Sequence, residues 1–155
     1  MLGVAGMIAG LDFVEERSPD AVREHEVALC DRLREKLEGA GGFEFFERLV
    51  DRFYDGVEED PVLRAVYPEE DLTFARRKLA LFLAEYWGGP ADYNALRGHP
   101  ALRMRHAPFE IGPAQRDRWL HHMRAAVAWM QPPPDVAEAL LAYFEMAAPA
   151  LQNHA

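Results

Sequence analysis

An all-α fold is what this sequence predicts, on three observations. Four long segments carry apolar residues at three- and four-residue intervals, the repeat that lines one face of an α-helix. No segment alternates apolar and polar residues as a half-buried strand does. Breaks rich in glycine and proline separate the segments. With 155 residues, half of them hydrophobic and 28% charged, the chain has the composition of one globular domain, burying about 70% of its unfolded surface. Gly39, Gly41 and Gly42 divide it into a helical extension, residues 1–40, and a principal domain, residues 41–155.

The extension reads as helix over residues 11–38. Ser18-Pro19 suits a cap and a first-turn proline, and Val22, Leu29, Leu33 and Leu37 make a loose apolar stripe. Packing, or contact with a second copy in a homodimer, is the role such a helix suggests. The first core helix runs over residues 43–57, where Phe46, Leu49, Val50, Phe53 and Val57 recur opposite Glu47, Arg48 and Asp51. Tyr54 falls beside that face. Pro61 and Pro68 bound a short connector that puts Tyr67 at a corner.

A second long helix is expected over residues 69–87, with Leu72, Ala75, Leu79, Phe82 and Tyr86 on one face and Gly88-Gly89-Pro90 as its stop. Residues 91–112 show little periodicity and leave room for one short helix between loops. Gly112-Pro113 opens a third long helix with Trp119, Met123, Ala126, Val127 and Met130 inward, so His121 and His122 point elsewhere. Pro132 to Pro134 end it. The last helix covers residues 135–148, with Val136, Leu140, Tyr143, Phe144 and Ala147 inward.

Charge and cysteine content exclude several classes of function. A net charge of −9, with the arginines scattered among acids, opposes nonspecific attraction to nucleic acid or an anionic membrane surface. Cys30 is the only cysteine, so an internal disulfide, a cysteine-rich zinc site, an iron–sulfur framework and covalent Cys-x-x-Cys-His haem attachment are all absent. No apolar run approaches the ~18 residues that span a bilayer, and the glycine-interrupted start lacks a basic leader, so a soluble cytoplasmic protein is expected.

The chemistry concentrates in Gly98-His99-Pro100-Ala101-Leu102-Arg103-Met104-Arg105-His106-Ala107-Pro108-Phe109. A histidine one turn after Leu102 and Met104, flanked by arginines and closed by proline, has what an iron porphyrin needs: imidazole for the metal, apolar side chains for the ring, guanidinium groups for the propionates. One imidazole nitrogen of His106 would take the iron. The other needs an acceptor, for which the Leu102 carbonyl one turn earlier is the natural candidate. Read alone, His106 also suits ordinary packing, Tyr54 and Trp119 suit a core, Leu79 and Phe82 suit a core wall, and Arg76-Arg77-Lys78 suits a solvated face.

Phe53-Tyr54, Val66-Tyr67-Pro68-Glu69, Glu85-Tyr86-Trp87-Gly88-Gly89-Pro90, Arg97-Gly98-His99-Pro100, residues 102–109 and Arg118-Trp119-Leu120 follow one another in order. In these words, from about residue 41 to 150, the chain resembles the group II truncated haemoglobins. The resemblance implies a shortened globin, a two-over-two helical sandwich around noncovalent haem b, with an extra N-terminal helix here. It implies His106 as the metal ligand and Tyr54, Tyr67 and Trp119 as distal donors to a bound gas, with small Ala75 where other globins carry a distal histidine. It also implies Phe53, Lys78, Leu79, Phe82, Tyr93, Leu102, Arg103 and Arg105 as the residues around the cofactor. Residues 3–38 resemble one helix of the aminotransferase-like cysteine desulfurases; no cofactor lysine falls there, and no activity is implied.

Function follows in two readings of different class. The first is binding of dioxygen, nitric oxide and carbon monoxide, with donors that slow release. The second is a redox enzyme, a nitric oxide dioxygenase or weak peroxidase; without a Gly-x-Gly-x-x-Gly nucleotide motif it depends on a separate electron-donating reductase. Haem-based sensing ranks last, because residues 1–40 are too short for a catalytic output module.

Overall fold

The computed structural model describes residue 28, residues 31–32 and 34–39, and residues 41–155. Val22, Leu29, Leu33 and most of the expected N-terminal helix therefore lie outside the described residues. Within them the fold is helical, with no strand: α1 (Phe43–Glu59), α2 (Pro61–Arg64), α3 (Thr73–Tyr86), α4 (Asp92–Arg97), α5 (Leu102–His106), α6 (Pro113–Met130) and α7 (Pro134–Leu151). No described helix is long and apolar enough to cross a membrane.

Helix α1 is the hub. It packs on α3 and α6, α6 packs on α7, and α5 leans on α7. Its amphipathic spacing puts Phe46, Leu49, Val50, Phe53 and Val57 almost wholly out of solvent, and Leu37 from the helical stretch 34–39 joins the same core. That stretch turns into α1 through Gly41 at φ +117 and Gly42 at φ +56, where the Gly42 N–H closes on the Leu37 carbonyl at 2.7 Å. Lys36 pairs with Asp135 at the start of α7. Helix α3 has a one-sided start and an all-round buried end: residues 80–87 are all buried. That end meets α1, α4 and, through Tyr86, Tyr143 of α7, so a single apolar stripe does not suffice there.

Three boundaries differ from the sequence reading. Helix α3 begins at Thr73, not residue 69, and the Asp71 carboxylate just before it accepts the Thr73 N–H at 2.8 Å. Residues 91–112 hold two short helices, not one. The earlier, α4, is docked by the buried carboxylate of Glu85, which accepts the Asn94 N–H at 3.0 Å, a tertiary bond that no local pattern announces. Helix α7 carries on to Leu151 with Pro149 in its last turn.

The junction of α1, α2 and α6 is held by one carboxylate. Asp60, 2% exposed, caps α2 by accepting the Val62 and Leu63 N–H groups, and its other oxygen accepts from Arg118 Nε at 2.6 Å and His122 Nε2 at 2.7 Å. His122 therefore points inward to α1, contrary to the expectation from its helix face. Gly56 makes room: a Cβ there would lie 2.4 Å from His122 Nδ1. Burial pushes the Asp60 carboxyl up, but the bonds from His122 and Arg118 outweigh it, and the group is held well below the usual carboxylate range. Because the folded value is depressed, this carboxylate contributes stability that is fully present above the ordinary carboxylate value and is lost as pH falls below it. Asp60→Asn is expected to cost about 2 kcal/mol at neutral pH, a fall in Tm of roughly 6 °C. Thermal unfolding monitored by circular dichroism from pH 7 to 3 checks this: the deficit against wild type should narrow at the acid end.

Candidate functional site

The helices enclose a cavity of about 520 Å³ with a mostly apolar lining. Its size is that of a site for a cofactor-scale ligand. Helices α1 and α6 contribute Tyr54 and Trp119, the connector contributes Tyr67, α3 contributes Ala75, Lys78, Leu79 and Phe82, and α5 contributes Leu102, Arg105 and His106. Tyr93, Phe144 and Ala147 are also among the lining residues.

On the α5 side, His106 is the histidine that lines the cavity among the described residues. Its Nδ1 lies 2.6 Å from the Leu102 carbonyl, the partner that helical spacing suggests. A carbonyl only accepts, so Nδ1 carries the proton and Nε2 keeps its lone pair. Burial, with help from nearby Lys78, lowers the imidazole pKa against the opposing pull of that hydrogen bond, which favours the neutral ring. A neutral, pre-oriented imidazole is the form that ligates a metal. Among the described residues no cluster of three or more metal-ligating side chains competes with it. His99 is structural: its Nδ1 accepts the N–H of Ala101, which sits at φ +42 just before α5.

On the α1 side, three aromatic donors are brought together. Tyr54 and Tyr67 meet edge to face, with 5.6 Å between ring centres. Burial and the neighbouring Tyr67 raise the Tyr54 phenol well above its ordinary value, and burial pushes Tyr67 up to about 12. Both remain protonated donors at any ordinary pH. Arg64 holds the connector that presents Tyr67 by donating to the carbonyls of Tyr67, Glu69 and Glu70. The Arg76 guanidinium lies 5.6 Å from the Tyr54 ring centre and is tied to Asp51, Asp55 and Glu58 of α1.

Some expected residues stand elsewhere. Phe53 is fully buried and does not line the cavity; it backs Tyr54 and Trp119 at 5.0 and 5.4 Å between ring centres. Arg103 is exposed and outside the lining, and Met104 is 71% exposed, because the other two of the five residues of so short a helix face away when Leu102, Arg105 and His106, spaced three and four apart, line the cavity. Arg105 lines the cavity, yet its Nε and Nη2 donate to the carbonyls of Pro100, Arg97 and His99, so much of its fork is spent on the loop before α5. Arg97 lines the cavity too and was not singled out from the sequence. Its motif was legible, but which arginine reaches the wall depends on how α4 docks.

The set fits an iron porphyrin. Apolar walls suit the ring, a lone pair on His106 Nε2 suits the metal, and Lys78, Arg97 and Arg105 supply cationic groups for carboxylates. Stacked helices around such a cavity, with one inward imidazole and cations on the wall, define the globin class. The chain belongs to the bacterial-like globin family, which it matches over residues 36–153.

It is 38% identical to the group 2 truncated hemoglobin YjbI of Bacillus subtilis over 112 residues, 72% of this chain and 84% of that protein. It superposes on the thermostable hemoglobin of Thermobifida fusca with a TM-score of 0.74 and 53% identity, over 78% of this chain and 96% of that one. For the truncated oxygen-avid haemoglobin of Bacillus subtilis the TM-score is 0.71 at 37% identity, over 76% and 98%. The fold is thus that of the two-on-two truncated globins. With both phenols held neutral, a difference titration near 295 nm should show the Tyr67 component centred at about 12, absent in Tyr67→Phe.

Proposed function

We propose that this chain holds haem b noncovalently through His106 Nε2 and binds dioxygen, with nitric oxide and carbon monoxide as further ligands. The observation that carries the reading is one cavity lined by both a neutral, carbonyl-anchored imidazole and the Tyr54, Tyr67 and Trp119 donors. Haem supplies an iron whose remaining position takes a diatomic gas. Leu79, Phe82 and Phe144 wall the ring and exclude water, while Lys78 and Arg97 pair with its carboxylates. Arg105 and Tyr93 stand on the same wall as further partners, and Ala75 leaves space beside the ligand. Tyr54 and Trp119 would donate to the polar end of the gas, with Tyr67 packed against Tyr54 as a third polar group.

Two or three donors favour slow release and high affinity. That agrees with the words oxygen-avid used for the Bacillus subtilis relative. Storage or scavenging at low oxygen is the role this fits, and turnover of nitric oxide would draw electrons from a separate reductase. Optical spectra of ferric, reduced and carbon monoxide-treated protein test the cofactor: a Soret band should appear in wild type, weaken in His106→Gly and return with added imidazole. A protein that takes up no haemin refutes the reading. The donors are tested by stopped flow: Tyr54→Phe and Trp119→Phe should each speed oxygen release about tenfold, the value of one hydrogen bond of about 1.4 kcal/mol. Unchanged off-rates would remove the donors from the account.

A further inference from the structure

After α7 the chain turns back onto the segment that leaves α5, and a single side chain makes most of the contact. Asn153 Oδ1 accepts the Ile111 N–H at 2.9 Å, and Asn153 Nδ2 donates to the Phe109 carbonyl at 2.8 Å and to the carbonyl of His106 itself at 3.2 Å. The backbone repeats the attachment, since the N–H groups of Asn153 and His154 both reach the Ile111 carbonyl, at 2.9 and 3.1 Å. His154 Nδ1 lies 2.6 Å from Asn153 Oδ1, so both faces of the amide are engaged. Gln152, the preceding residue, accepts from Arg116 Nη1 at 2.8 Å and anchors the turn to α6.

We propose that Asn153 is the positioning residue of His106. Helix α5 has five residues and no side-chain cap, and its last residue is the histidine. A helix that short has little stability of its own. The ring is fixed at one end by the Leu102 carbonyl, but the backbone that carries it continues into a turn, residues 107–111, with no regular structure. The turn has one backbone bond of its own, from the Phe109 N–H to the His106 carbonyl at 3.0 Å, and the Asn153 side chain ties both ends of it, His106 and Ile111, to the segment after α7. Only an amide provides two donors for the His106 and Phe109 carbonyls together with an acceptor for the Ile111 N–H from one planar group. The role rests on the haem reading above, because what it positions is the lone pair of His106 Nε2.

The experiment compares wild type, Asn153→Ala and Asn153→Asp, each loaded with haemin. The aspartate keeps the acceptor for Ile111 and loses both donors, so it separates attachment of the tail from support of His106. Resonance Raman spectra of the reduced, unliganded proteins should show the iron–imidazole band shifted or broadened in both variants. The C–O stretch of the carbon monoxide complexes should stay at the wild-type frequency, because it reports the Tyr54 and Trp119 side. Transfer of haemin to an excess of apomyoglobin should become about tenfold faster. An iron–imidazole band identical to wild type in both variants, whatever the change in Tm, overturns the positioning role while leaving haem binding intact. Failure of wild type to take up haemin overturns the haem reading and this inference with it.

Discussion

Burial of one helix face is the constraint on which the rest of the structure depends. Phe46, Leu49, Val50, Phe53 and Val57 of α1 are inaccessible to solvent, and α3 and α6 can pack only where that stripe receives them. Side chains of this size each contribute about 1.5–3 kcal/mol when fully buried, so the position of α1 is not negotiable. Tyr54 rides on that helix beside Phe53, and Trp119 packs on Phe53 from α6. Two of the three donors in the cavity are thus placed by apolar packing. Asp60 at the end of α1 carries the same order into α2 and α6 through Arg118, the neighbour of Trp119, and His122.

The opposite wall is built on a different principle. Helices α4 and α5 have six and five residues, and α5 contains no buried residue. Tyr93 of α4 packs against Phe82, but so little helix is not located by packing alone, and hydrogen bonds complete the placement. Glu85 docks α4, Arg105 gathers the carbonyls of residues 97, 99 and 100, the Leu102 carbonyl orients the His106 ring, and Asn153 holds the turn that follows. Such bonds are individually modest, about 1 kcal/mol net, but strongly directional. Direction is what fixes the orientation of the His106 ring.

The division also accounts for which residues the sequence revealed. The apolar stripes of α1, α6 and α7 were legible because periodicity is a local property of the chain. Tyr54, Tyr67, Trp119 and His106 were legible as a family pattern, and the cavity contains all four. Asp60, Glu85 and Asn153 were not, since a carboxylate or amide looks the same in sequence whether it faces water or a distant backbone group. Phe53 shows the converse limit. It sits in a recognisable motif, yet only the crossing of α1 and α6 decides that it backs the donors and stays out of the lining.

By itself the sequence determined an all-helical class and the main core stripes, because helix formation and apolar burial are written at intervals of three and four residues; its family resemblance singled out Tyr54, Tyr67, Trp119 and His106, which line one cavity. The tertiary structure alone decided where the short helices lie, that Arg97 faces the cavity while Arg103 and Met104 do not, and that His122 turns inward to Asp60. Those outcomes depend on contacts outside the local repeat, such as Asp60 with His122, 62 positions apart, and His106 with Asn153, 47 apart. Nothing in the local spacing of either partner carries them.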